Sequence, residues 1–74
     1  MVEVFKTNVR ARRHARLILD QIHQNFQDYH ANFDLEDCDN ILRVECRGSF
    51  IQPSLLIQLL AAAGFRAEVL ADEV

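Results

Sequence analysis

An α+β fold with elements in the order β-α-β-β-α-β is what this chain predicts, and three observations carry that expectation. Short stretches at 2–6, 31–35 and 41–46 alternate apolar and polar residues with the period of two of half-buried strands. Two longer stretches, at 11–26 and 53–63, repeat apolar residues at the three- and four-residue spacing of helices. The two middle strand segments are separated only by Glu36-Asp37-Cys38-Asp39-Asn40, an acidic, turn-forming run that makes them a hairpin. Helices alternating with strands around a central hairpin suggest one antiparallel sheet with both helices on one face, a ferredoxin-like sandwich.

Each element has its own local reason. Val2-Glu3-Val4-Phe5-Lys6 alternates; with Val2 and Val4 turned to the helices, Phe5 falls on the outer strand face. Thr7 or Asn8 has the short side-chain oxygen that caps a helix. Ala11, Ala15, Ile18, Leu19, Ile22 and Phe26 form one apolar helix face, which predicts a helix to Asn25 or Phe26 with Ala11 as its first core residue. Gln27-Asp28-Tyr29-His30 reads as a polar connection, Ala31–Leu35 and Ile41–Cys46 as paired strands, and Arg47-Gly48-Ser49 as the end of the third strand. Pro53 suits a first helical turn, where its missing N–H costs little, and Gly64 suits a left-handed helix end. Between them Leu56, Leu59, Leu60 and Ala63 suffice for an inward face. Leu55 and Ile57 widen the apolar surface into a patch that could meet another chain, a second copy included. Phe65–Leu70 reads as the last strand and Ala71–Val74 as a tail.

The totals bound the function. Seventy-four residues make one domain, 1–74, and a chain of this size buries only about 60–65% of its unfolded surface. Half of the residues are hydrophobic, which suffices for a core and excludes disorder. A net charge of −3 does not imply nucleic-acid or anionic-membrane binding. The absence of a leader-like segment and of a bilayer-length apolar run points to a cytoplasmic protein. Cys38, in a turn, and Cys46, at the far end of the next strand, are expected too far apart to bond and are read as thiols.

Across nearly its whole length the chain resembles the heavy-metal-associated domain of copper chaperones and metal-pumping ATPases. The resemblance rests on the strand–helix junction Lys6-Thr7-Asn8-Val9-Arg10-Ala11, on the order and lengths of the elements, and on Ala62-Ala63-Gly64-Phe65-Arg66-Ala67-Glu68-Val69-Leu70. In that family the junction carries M-T-C-x-x-C, whose cysteines grip a soft metal. Here Lys6, Thr7, Asn8 and Ala11 fall where the Met, Thr and two Cys would be. Asn8 and Ala11 supply no thiolate, so no metal is expected there and no cofactor is implied.

What the junction has instead is charge. Lys6, Arg10, Arg12, Arg13 and Arg16 place five of the eight basic residues in eleven positions. Cations in a first helical turn oppose the macrodipole by about 0.3–1 kcal/mol each, so the cluster is locally unfavourable and suits an anion or an acidic partner. The topology puts Asp34, Glu36, Asp37 and Asp39 at the same end, where they either neutralise the arginines or split the end face into two signs. The expected function is a non-enzymatic module that binds a protein through Lys6, Asn8, Arg10, Arg12 and Arg13. The alternative is a metal-handling protein using Cys38 with His14 or carboxylates. A third is a small-anion binder of acylphosphatase-like topology centred on Asn8 and Arg10. No nucleophile–base pair and no glycine-rich phosphate loop is present, and the strand Ile41–Cys46 has no aromatic to stack on RNA.

Overall fold

In the computed structural model, which describes residues 1–48 and 50–70, the elements are β1 (Val2–Thr7), α1 (Arg12–Asn25), β2 (Tyr29–Asp34), β3 (Ile41–Cys46), α2 (Pro53–Ala62) and β4 (Ala67–Val69). The expected tail, 71–74, and Ser49 lie outside the described residues. The strands form one sheet in the order β2-β3-β1-β4, every neighbour antiparallel. With two helices packed on it, this is a ferredoxin-like α+β sandwich. The core joins Phe5 and Val9, Ala15, Ile18 and Ile22 of α1, Leu42, Val44 and Cys46 of β3, and Leu56 and Leu60 of α2.

The parity of β1 is the reverse of the expected one. Phe5 is fully buried and Val2 is half exposed. Phe5 pairs with Leu42, and Glu3 with Val44, on the helix side; Val2 and Val4 stand opposite Glu45 and Arg43 on the open side. A strand has only two choices of face, and an aromatic ring removes more apolar area from water than a valine does, so Phe5 decides the choice. Thr7 follows Phe5 inward and is buried. Its Oγ1 donates to the Asn40 carbonyl at 2.6 Å and accepts from the Val9 N–H at 3.2 Å, so the buried hydroxyl is satisfied.

Thr7 therefore does not cap α1, and neither does Asn8. The helix begins one turn later, with Ala11 at the N-cap in extended conformation and no side-chain cap. Ala11 is half-buried, and Val9, fully buried, is the residue that anchors the junction in the core. Tyr29 and His30 belong to β2 rather than to a connection. The Tyr29 ring stacks on Phe26 at 4.8 Å, and its hydroxyl accepts from the Gln52 N–H at 3.1 Å.

Pro53 opens α2, and Gly64, at φ 93°, closes it. The Phe65 N–H reaches back to the Leu60 carbonyl (2.8 Å) and the Gly64 N–H to that of Ala61 (3.0 Å), the paired bonds of a Schellman ending. This turn takes up Phe65 and Arg66, which leaves β4 shorter than expected. The broad apolar patch expected on α2 shrinks as well. Ile57 and Leu59 pack against the core, and Leu55 remains as a single side chain at 38% exposure. Phe50, before the helix, is far more exposed, at 80%.

Candidate functional site

Three loops meet at one end of the sheet. The Thr7 N–H bonds the Asp39 carbonyl at 3.1 Å, which ties the β1–α1 loop to the β2–β3 turn. Asn8 ties the same loop to the α2–β4 turn, with its N–H on the Arg66 carbonyl (3.3 Å) and its Oδ1 accepting from the Arg66 N–H (2.8 Å). Asn40 adopts φ 48° in the β2–β3 turn, a conformation asparagine tolerates better than most residues. The Asp39 N–H bonds Asp37 Oδ1 at 2.8 Å, and the Glu36 N–H bonds Asp34 Oδ1 at 3.2 Å, so two of the four acids there are folded into their own turn.

The expected site residues divide into two groups. Asn8 holds the end together by stapling Arg66, while Lys6 Nζ lies 3.8 Å from Asp39 Oδ1 in an exposed ion pair that adds little. Arg10, Arg12, Arg13 and Arg16 are exposed and, among the described residues, have no ion-pair partner. The helix they surround has no acidic residue in its first turn and no side-chain cap. The positive end of the α1 dipole and four guanidinium groups thus share one surface.

The metal-ligand set expected around Cys38 does not include His14. The ligand atoms of Asp37, Cys38 and Asp39 lie within 4.8 Å of one another, as neighbours in one tight turn do. His14 is half-buried instead against the Phe65 ring, with centroids 5.3 Å apart. Asp37 and Asp39 are already engaged by a backbone N–H and by Lys6. Asn8 lines a shallow hollow of about 280 Å³ with Lys6, Arg66 and Glu68, but Arg10 is not in its walls, so the two residues of the anion-binding alternative do not converge there. Cys38 is exposed, Cys46 is buried, and both are thiols rather than a disulfide.

A groove between α1 and β2 is absent from the expectations. It has a volume of about 380 Å³ and is lined by Leu19, Phe33 and Leu35, by Arg12 and Arg16 on the α1 side, and by Asp34 and Glu36 on the β2 side. Its signal in the sequence is faint: Arg12 and Arg16 are one helical turn apart, on the flank of the Ala15–Leu19 stripe. No helix among the described residues is long and apolar enough to cross a membrane. The chain matches no family model, no curated protein and no solved structure in the three comparisons made.

Proposed function

We propose that this domain is a non-enzymatic binding module, similar to the heavy-metal-associated domain, in which docking of an acidic protein surface takes the place of thiolate metal capture. The surface is the end face carrying Arg10, Arg12 and Arg13, with Lys6 and Asn8 as its frame. One observation supports this above the others: four exposed arginines surround an uncapped helix N-terminus that contains no acid, and among the described residues none of them is ion-paired. Such an arrangement costs local stability, and a partner carboxylate relieves that cost. The positions that correspond to the family's cysteines fit the same account, since Asn8 is a staple to Arg66 and Ala11 an N-cap.

The test is charge reversal of Arg10, Arg12 and Arg13 to glutamate. The immobilised variant is expected to lose the proteins that the parent retains from cell extract at low salt, with a melting temperature no lower than the parent's. Retention of the same proteins by a folded triple variant overturns the proposal. The metal alternative stands as a second reading on Cys38 with Asp37 and Asp39 alone, since His14 packs against Phe65 instead. It requires Zn(II) or Cu(I) affinity of the reduced protein to fall in Cys38→Ser, and equal affinity in the two proteins removes it.

A further inference from the structure

The sheet has two edges, β2 and β4, and the β2 edge is sealed along only half its length. Cys46 donates its N–H to the Met1 carbonyl, so Cys46, Val44 and Leu42 turn their backbone groups toward β1, and Glu45, Arg43 and Ile41 turn theirs toward β2. The register pairs those three with His30, Asn32 and Asp34, which leaves the N–H and C=O of Tyr29, Ala31 and Phe33 pointing off the sheet. The first two N–H groups are covered. Tyr29 bonds the Phe26 carbonyl at 3.1 Å, and Ala31 bonds His23 Nε2 at 3.2 Å. Among the described residues the Phe33 N–H has no partner. That unsealed stretch lines the α1–β2 groove.

We infer that this groove accepts an extended segment of a partner protein, which adds as a fifth strand beside β2 and places an acidic side chain between flanking aliphatic ones. The backbone of such a segment bonds Phe33, its aliphatic side chains meet Leu19, Phe33 and Leu35, and its carboxylate meets Arg12 and Arg16. Edge strands are ordinarily blunted by lysine, proline or a bulge; β2 has no lysine or proline, and its six-residue register is unbroken. A second copy of this chain would bring its own Arg12 and Arg16 to this edge together with its Asp34 and Glu36, whereas a partner strand with one carboxylate meets two guanidinium groups that have no ion-pair partner among the described residues. The inference rests on the proposed binding role and names the partner's chemistry.

The test titrates 15N-labelled protein with a blocked heptapeptide, Thr-Val-Thr-Glu-Thr-Val-Thr, whose one face reads valine, glutamate, valine. Saturable amide shifts are expected over 12–19 and 32–35, with hydrogen exchange of the Phe33 amide slowed about tenfold or more. Phe33→Pro removes the outward N–H without touching the β3 ladder, and it is expected to weaken binding about tenfold relative to Phe33→Ala. Arg16→Glu, a surface change that leaves the fold in place, is expected to invert the preference for glutamate over lysine at the peptide's centre. Binding with an unprotected Phe33 amide overturns the inference, as does the absence of saturation up to about 10 mM peptide. Shifts confined to Arg10 and Arg13 overturn it while leaving the end-face role standing. Phe33 protection that grows with protein concentration and no peptide assigns the edge to a second copy instead.

Discussion

Phe5 and Thr7 together determine which side of β1 meets the helices. Phe5→Ala is expected to cost about 3–5 kcal/mol in urea denaturation, because a fully buried aromatic leaves a cavity, whereas Val2→Ala, at a half-exposed position, is expected to stay within about 0.5 kcal/mol. Thr7→Val keeps the volume but removes both hydrogen bonds of the hydroxyl. It is expected to lose about 1–3 kcal/mol by the same measurement, since the Asn40 carbonyl and Val9 N–H are left unpaired in a partly buried site. This is also where the sequence was least legible. Alternation in Val2–Lys6 is equally regular in either parity, and the inward neighbour of Phe5 is a threonine, which carries no apolar signal. Val9 was hidden for a related reason: it lies in a loop, outside any period, and only the loop's closure over the core buries it.

At the scale of the element, α1 begins with the wrong sign of charge. Arg12→Glu and Arg13→Glu are each expected to raise stability by about 0.3–1 kcal/mol, seen as a higher melting temperature, while weakening association with the proposed acidic partner. Opposite signs in the two measurements separate a binding role from a structural one; a fall in both contradicts the assignment. The end of α2 behaves conventionally. A Cβ at Gly64 would meet nothing within 4 Å, so Gly64→Ala is expected to cost only the conformational penalty of φ 93°, about 1–2 kcal/mol in thermal unfolding. Pro53 and Gly64 were legible because each acts through its own backbone. The late start of α1 was not, because Thr7 and Asn8 found partners in loops distant in sequence, Asn40 and Arg66, which compete with capping.

For the whole molecule, a net charge of −3 coexists with a basic cluster at the start of α1, on an end that also carries Asp34, Glu36, Asp37 and Asp39. Association with the proposed partner is therefore expected to weaken steeply as ionic strength rises through about 0.1 M, where the screening length falls to roughly 10 Å, while the fold holds. The order of elements was legible because every element carries its own period and the hairpin its own turn. The convergence of three loops at one end follows from that order. The α1–β2 groove does not, since it depends on how far a helix diverges from an edge strand, which no local pattern encodes. The placement of the two cysteines gives the molecule an internal clock. Cys38 is open to solvent, and Cys46 lies at 1% exposure inside β3. A disulfide reagent therefore modifies the first at once and the second only when the core opens, so the slower phase reports the opening equilibrium directly. A ligand that favours the native state lengthens that phase, which lets the unlabelled protein announce its own partner through the chemistry of one sulfur atom.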